Sequence, residues 1–99
     1  MEKGGCIYIL TNNHNTSLYV GVIADLAGRV MEHKERIHRK SFSARYNLTK
    51  LVYYEMFHSI EEAIDREKQL KAGPRWRKDR LITEMNPEWS DLYDDVKYW

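Results

Sequence analysis

Five ionisable side chains stand out by their positions in the sequence. Tyr8 and Tyr19 lie in two short stretches rich in aromatic and β-branched residues. Arg29 and His33 are four residues apart, a spacing that places both on one face of a helix. Glu67 interrupts a helical stripe of apolar residues, where a carboxylate costs free energy unless it is paired, hydrogen-bonded or bound to a metal ion. These residues are therefore the first candidates for a functional site.

The chemistry of such a site depends on what surrounds the phenols. An unperturbed tyrosine has a pKa of about 10, so only a very small fraction is ionised at neutral pH. A tyrosine acts as a general base only with help from its surroundings. Arg29 and a protonated His33 would each favour the phenolate and lower its pKa.

The two phenols lie in segments that are predicted to form a β-hairpin. Residues 6–10 and 18–22 suit a pleated, half-buried surface, and the run of Asn and His between them favours a turn. A turn centred between Asn13 and His14 would place Tyr8 directly opposite Tyr19, on one face of the sheet. Gly21 follows at once and would let another group approach the strand closely.

The remaining pattern predicts an α+β fold, a small three-stranded antiparallel sheet flanked by helices. Asp25 is a candidate N-cap for a helix over 26–38, and residues 50–57 read as the third strand. Ser59 and Glu62 have the spacing of a capping box for a helix that begins at Ile60 and ends at Gly73. A further helix is expected to stop before residue 86.

Length and composition indicate one small domain. We expect a single unit over 1–99, with its core at about 4–88 and an acidic tail over 88–99. The single cysteine, Cys6, excludes a disulfide within the chain, and no stretch resembles a signal peptide or a membrane span. We therefore expect a cytoplasmic protein.

The net charge of +1 conceals two strongly basic segments, residues 29–50 and 66–80, each with a net charge of +5. Such segments favour contact with a polyanion, although solvated helix faces with scattered counter-ions are the commoner explanation of charge runs. If the partner is a nucleic acid, the candidate contact residues are Lys34, Arg36, Arg39, Lys40, Arg45, Lys71, Arg75, Arg77 and Lys78.

Six elements in order resemble the GIY-YIG nuclease superfamily over residues 4–88. They are the tripeptides at 6–8 and 19–21, followed by Arg29, His33, a helical Glu67 and Asn86. The chain is similar to the small stand-alone bacterial proteins of that superfamily and to the nuclease module of the excision-repair protein UvrC. It departs from the motifs at Cys6, where they have Gly, and at Val20, where they have Ile.

The resemblance implies divalent-metal-dependent hydrolysis of DNA phosphodiester bonds, structure-selective or weakly specific, in DNA repair or processing. It implies that Mg²⁺ or Mn²⁺ binds Glu67, and that Tyr8, Tyr19, Arg29, His33 and Asn86 complete the catalytic set. We expect Tyr19 to be the base and Tyr8 its orienting neighbour, with the reverse assignment left open. The substrate would be DNA, with branched and single-stranded forms included, and a partner protein would supply specificity.

Alternative explanations exist for the same residues. The alternative to a nuclease is a nucleic-acid-binding module on this scaffold with little or no catalytic activity, and a third is a domain that only recruits a partner protein. The presence of all the catalytic residue types favours the nuclease. Each residue also has an ordinary structural role: tyrosines in strands usually pack, Arg29 has Glu32 nearby, Glu67 has Lys71 one turn away, and Asn86 suits a helix C-cap before Pro87.

Overall fold

The computed structural model describes residues 4–35 and 46–99. In these ranges the chain forms strands β1 (Gly5–Thr11) and β2 (Leu18–Ile23), helix α1 (Leu26–Lys34), strand β3 (Lys50–Phe57), and helices α2 (Ile60–Ala72), α3 (Arg75–Met85) and α4 (Tyr93–Val96). The strands form one antiparallel sheet in the order β2-β1-β3. The α+β class and the three-stranded sheet with flanking helices are therefore confirmed.

Local signals for the start of the helices are also confirmed. The Asp25 side chain accepts a hydrogen bond from the Gly28 amide at the start of α1. The Ser59 hydroxyl accepts one from the Glu62 amide at the start of α2. Both bonds satisfy amides that have no partner within their own helix. Helix α1 ends at Lys34, and residues 36–38 of the helix predicted over 26–38 lie outside the described ranges.

The register of the hairpin differs from the prediction. Tyr8 lies opposite Gly21, and Tyr19 lies opposite Leu10, so the two phenols are diagonal neighbours rather than a direct pair. The loop explains the difference. Asn12 Oδ1 accepts hydrogen bonds from the amides of Thr16 and Ser17, which holds these residues in the loop. Because the side chains of a strand alternate with a period of two, this two-residue shift still leaves both phenols on one face.

The central strand β1 buries a different set of side chains on each face of the sheet. The Tyr8 face, as we call it, packs against α1 and α4, and its buried residues are Cys6, Tyr8, Leu10, Leu26, Val30, Leu48, Leu51 and Val96. The Ile9 face packs against α2 and α3, and its buried residues are Ile7, Ile9, Val20, Val52, Tyr53, Ala63, Leu70 and Ile82. The sheet is therefore covered by helices on both sides.

Packing continues past residue 88. Leu92 and Tyr93 contact the Tyr8 face, and Val96 is fully buried in it. The free edge of β3 is closed at Leu51, whose amide donates to Asp91 Oδ1 at 3.2 Å and whose carbonyl accepts from the Leu92 amide at 2.7 Å. The acidic C-terminal segment is thus fixed to the sheet edge. None of the helices in the described ranges combines the length and apolar character that crossing a membrane requires.

Candidate active site

Three rings from three elements meet on the Tyr8 face. Tyr8 comes from β1, Tyr19 from β2, and His33 from the last turn of α1. The ring centroids are 6.1 Å apart for the two phenols, 5.9 Å for Tyr8 and His33, and 5.6 Å for Tyr19 and His33. Three residues that the sequence singled out therefore form one cluster, which we call the three-ring cluster.

Gly21 makes room for this cluster. It lies opposite Tyr8 in the sheet, and a Cβ atom built at this position would overlap the ring and hydroxyl of Tyr8. The phenol therefore lies close to the backbone of β2 at Gly21, where the side chain of any larger residue would displace it. The close approach expected at Gly21 is confirmed, and the approaching group is a side chain of the protein itself.

The two phenols differ in their environment. Tyr8 is only 1% exposed, and its hydroxyl is hydrogen-bonded to Nε2 of His33 at 3.2 Å, with the donor set by the imidazole tautomer. Burial raises the pKa of the Tyr8 phenol well above its usual value. The neighbouring Tyr19 adds to the rise, and the positive charge of Arg29 opposes it. Tyr19, in contrast, is partly exposed, so a molecule in solvent can reach it.

Arg29 lies one turn before His33 on α1. Its Nε is 3.7 Å from Oε1 of Glu32, and both side chains are more than a third exposed. An exposed pair of this kind contributes little to stability and is easily exchanged for another anion. Arg29 is therefore a cation beside the three-ring cluster that remains accessible from solvent.

Cys6 occupies the motif position where the family has Gly. Its side chain is 1% exposed and packs in the core of the Tyr8 face, so it does not project into solvent beside the phenols. Burial, with a smaller contribution from the charge of Asp25, raises the pKa of the thiol to about 11. Cys6 is therefore a neutral packing residue at neutral pH.

Glu67 does not belong to the three-ring cluster. It lies on α2, which packs on the Ile9 face and contacts β1 and β2. Its side chain is 17% exposed, and Oε1 is 3.5 Å from Nζ of Lys71, which is 52% exposed. This ion pair is the structural role that the sequence analysis gives as the alternative to metal binding by Glu67.

Comparison with known proteins identifies the family. The model of the GIY-YIG catalytic domain matches residues 4–78 of the chain. The chain belongs to the GIY-YIG family. Membership implies a nuclease that acts on DNA, and nucleases of this family generally use divalent metal ions.

Several bacterial relatives are similar to the GIY-YIG chain over much of its length. A protein of Bacillus pumilus named UPF0213 protein is 32% identical over 97 residues, which is 98% of each chain. UPF0213 protein SSP2268 of Staphylococcus saprophyticus is 37% identical over 69% of this chain and 82% of its own. A UPF0213 protein of Syntrophus aciditrophicus is 33% identical over 83% of this chain and 92% of its own. No solved structure matches the chain significantly.

The donor set of this GIY-YIG domain limits how a metal ion can bind. Among the residues that the structure describes, no three His, Cys, Asp or Glu side chains come together as a metal site. Glu67 alone is still compatible with Mg²⁺, which commonly binds proteins through one or two carboxylates and completes its shell with water and substrate phosphates. Because the Lys71 side chain is 52% exposed, water can solvate its ammonium group when a metal ion takes its place at the carboxylate.

Asn86 is engaged in the fold of the GIY-YIG domain. Its side chain is 5% exposed, and Nδ2 donates to the carbonyls of Val52 at 3.2 Å and Ser90 at 2.8 Å. Its Oδ1 accepts from the amide and the hydroxyl of Ser90. The bond to Val52 joins the C-terminal end of α3 to β3, and the bonds to Ser90 hold the segment that follows the helix. The catalytic assignment of Asn86 stays a prediction, and the structure supplies a structural reason for its presence.

Several residues that were assigned to nucleic-acid binding also hold the fold together. Lys34 donates to Thr49 O at 2.9 Å and ion-pairs with Asp91. Lys78 donates to the carbonyls of Leu70 and Gly73 at the end of α2. Arg75 bonds to Asp79 and to two carbonyls of the hairpin loop, and the guanidinium of Arg77 lies over the Trp76 ring. The other candidates, Arg36, Arg39, Lys40 and Arg45, lie outside the described residues.

A cavity at one end of the sheet was missed by the sequence reasoning. It has a volume of about 320 Å³ and is lined by Asn12, Asn13, His14, Tyr46, Asn47 and Thr49. The hairpin loop supplies one wall and the segment before β3 supplies the other. The run of Asn and His predicts only a turn, because the segment that forms the opposite wall is more than thirty residues away in sequence.

Proposed function

We propose that this protein hydrolyses phosphodiester bonds of DNA with the help of a divalent metal ion. The observation that carries the proposal is the three-ring cluster, in which a buried phenol, a partly exposed phenol and an imidazole meet beside Arg29. A chain selected only for stability would fill this part of the Tyr8 face with apolar side chains, whereas here two phenols and an imidazole are packed together.

Tyr19 is the general base in this proposal, and Tyr8 orients it. Deprotonating Tyr8 is unfavourable, because burial raises the pKa of its phenol well above the usual value. Tyr19 is partly exposed and packs against Tyr8 and His33, so it can meet both a substrate and the groups that position it. The neutral Tyr8 hydroxyl is held by His33, which fixes the ring beside Tyr19.

Arg29 binds the scissile phosphate in this proposal. Its guanidinium is accessible, and Glu32, its present partner, is an exposed carboxylate that phosphate oxygens can replace. A fixed cation near the reacting phosphate stabilises the negative charge that develops there during hydrolysis.

Glu67 is the residue that would hold the metal ion. A metal ion held there would supply a Lewis acid for the phosphate oxygens and for the leaving alkoxide. Helix α2, which carries Glu67, contacts β2, which carries Tyr19, so one substrate strand could meet both residues. Glu67 offers one carboxylate, so water and substrate must complete the metal shell. Lys71, Arg77 and the basic residues 36–45 are the cations that we propose for the DNA backbone, with a role in DNA repair or processing in the cytoplasm.

A nucleic-acid-binding module with little catalytic activity is the second candidate. Glu67 already has Lys71 as a partner, and this observation favours a structural carboxylate. In that case the cations would still bind DNA, but metal ions would have no effect on the protein.

Cleavage of labelled DNA tests the first candidate. Single-stranded, duplex and branched substrates are incubated with the protein and Mg²⁺ or Mn²⁺, with EDTA as the control. We expect metal-dependent cleavage that falls by at least about 100-fold in Tyr19→Phe, which removes the proton acceptor but little volume. If Tyr8→Phe is inactive and Tyr19→Phe is not, the roles of the phenols are reversed. Equal activity of both variants with the parent would exclude a phenol base.

Thermal melts of Glu67→Gln separate the two candidates independently of activity. The Lys71 side chain of this ion pair is 52% exposed. Loss of the pair should therefore lower the free energy of unfolding by no more than about 0.5 kcal/mol in the absence of metal. For the nuclease, Mn²⁺ should raise the melting temperature of the parent but not of Glu67→Gln. A parent that Mn²⁺ does not affect, together with no cleavage, would leave the binding module as the function.

A further inference from the structure

The cavity at the hairpin end of the sheet has the size of a site for a small ligand. Its volume of about 320 Å³ falls at the lower end of the range for small-molecule pockets. It lies where β1 ends and where β2 and β3 begin, between the hairpin loop and the segment that leads into β3. A group of modest size, rather than a polymer backbone, fits such a space.

The side chains that line the cavity can donate and accept hydrogen bonds without carrying a fixed charge. Three are amides, and the others are an imidazole, a phenol and a hydroxyl, with no carboxylate, lysine or arginine among them. A phosphate would favour lysine or arginine. The edge of a nucleobase presents neutral donors and acceptors side by side, and the amide of Asn13 and the imidazole of His14, both exposed, can match that pattern. Tyr46, which is 46% exposed, adds an aromatic ring on which a base can stack.

The cavity lies at the same end of the sheet as the partly exposed phenol. Tyr19 is the second residue of β2, and the loop that precedes this strand forms one wall of the cavity. On the other wall, Leu48 lies between Asn47 and Thr49 and is buried in the same cluster as Tyr8 and Leu10. Leu10 is the residue opposite Tyr19. A strand of DNA at Tyr19 therefore has the cavity at the adjacent end of the sheet.

The loop wall is held in place before any ligand arrives. Asn12 Oδ1 accepts from the amides of Thr16 and Ser17, and Asn12 Nδ2 donates to the Thr16 hydroxyl at 2.7 Å. From α3, Arg75 donates to the carbonyls of Asn15 at 2.9 Å and Thr16 at 3.0 Å. The amide of Asn12 is thus used within the loop, and exposed Asn13 and His14 remain on that wall to contact a ligand. A rigid wall lowers the entropy cost of binding.

We propose that this cavity binds one unpaired base of the DNA strand whose neighbouring phosphodiester lies at Tyr19. The inference rests on the proposed function and adds a preference for substrates with unpaired bases. A base that is stacked and paired in a duplex cannot enter a cavity of this kind unless it leaves the helix, which costs free energy. A strand with free bases enters without that cost.

Binding measurements in EDTA test the inference without cleavage. Fluorescence anisotropy compares labelled single strands of dA, dC and dT with an abasic strand of the same length and charge. We expect at least one base-bearing strand to bind about fivefold or more tightly than the abasic strand, the lower limit for stacking of one base on an aromatic side chain. Tyr46→Ala and His14→Ala should reduce this ratio to near one, with melting temperatures close to that of the parent because both residues are exposed.

Matched controls exist in the same chain. Tyr98 is an exposed tyrosine that follows α4. His58 is an exposed histidine that follows β3, at the end of the sheet opposite the cavity. Tyr98→Ala and His58→Ala should keep the parental ratio. Equal binding of the abasic strand by the parent, or an unchanged ratio in both cavity variants, would overturn the inference. If the parent nevertheless cleaves DNA with metal and Tyr19→Phe does not, the base site fails while the proposed function stands.

Discussion

The two faces of β1 are built from the same strand but use different chemistry. On the Ile9 face, Ile7 and Ile9 pack against α2 and α3 with aliphatic partners such as Leu70 and Ile82. On the Tyr8 face, Tyr8 and Cys6 are buried, and His33 is 9% exposed beside them. Each face therefore buries a phenol, since Tyr53 is 8% exposed on the Ile9 face and its hydroxyl donates to Glu55. Among the described residues, a buried thiol and a buried imidazole occur on the Tyr8 face, where Cys6 and His33 lie with Tyr8.

This difference separates stability from chemistry within one small sheet. Burial of aliphatic side chains stabilises the fold without requiring hydrogen bonds. Buried polar groups need partners, and Tyr8 finds its partner in His33. The Ile9 face can therefore hold the strands in register while the Tyr8 face keeps a phenol and an imidazole in fixed positions.

The largest expected effect comes from truncating the Ile9 face. Ile9 is fully buried, so Ile9→Ala should lower the free energy of unfolding by about 2–5 kcal/mol through lost burial and the cavity it leaves. Chemical denaturation measures the loss. In conditions where the variant stays folded, its cleavage per folded molecule should remain within about twofold of the parent, on the same substrate. A loss of activity as large as that of Tyr19→Phe would show that the two faces do not act separately.

A smaller effect is expected from filling the space opposite Tyr8. Gly21→Ala places a Cβ atom on the Tyr8 ring, and overpacking of this kind should cost about 1–3 kcal/mol of stability. It should also displace the phenol from His33 and reduce cleavage by more than the stability loss explains. In the Tyr8→Leu background the same substitution should cost markedly less, because the ring is gone. Equal costs in both backgrounds would mean that the strand itself, not the ring, requires glycine.

The smallest effect concerns Cys6 at alkaline pH. Burial raises the pKa of this thiol from its ordinary value of about 9 to about 11, so the folded state holds the proton more tightly than the unfolded state does. The contribution of this pKa difference to the free energy of unfolding is fully present below pH 9 and is lost as the pH rises through 11. At pH 10 the parent should therefore have lost about 1 kcal/mol more than Cys6→Ala, relative to pH 8. Denaturant titrations at both pH values measure this, and parallel losses in the two proteins would contradict it.

Local signals in the sequence were sufficient for much of the fold. The bounds of β3, the caps at Asp25 and Ser59, and the end of α3 before Asn86 all depend on residues within a few positions of each other. Local signals did not predict the hairpin register correctly, because the register depends on which amides the Asn12 side chain binds within the loop. Two turn centres gave the same face for the phenols, so the alternation of side chains could not distinguish them.

The candidate site likewise combines features that local sequence patterns predict with features that they do not predict. Strand alternation predicts that Tyr8 and Tyr19 share a face of the sheet, and helix spacing predicts that Arg29 and His33 share a face of α1. The contact of His33 with both phenols depends on how α1 packs on the sheet, which these local patterns do not contain. The partners of Lys34, Arg75 and Asn86 are distant in sequence, and hydrogen bonds across such distances have no local signal. The cavity beside the hairpin is likewise formed by segments that only the fold brings together.

The burial of Val96 among the residues of the Tyr8 face has a consequence for how the protein is made. Tyr8 is synthesised 88 residues before Val96, yet the two side chains share one cluster. At about 5–20 residues per second, the ribosome needs roughly 4–18 s to cover that stretch. During this interval the nascent β1 lacks part of its final cover. The Ile9 face, whose buried residues end at Ile82, can therefore pack earlier in translation than the face that carries the phenols.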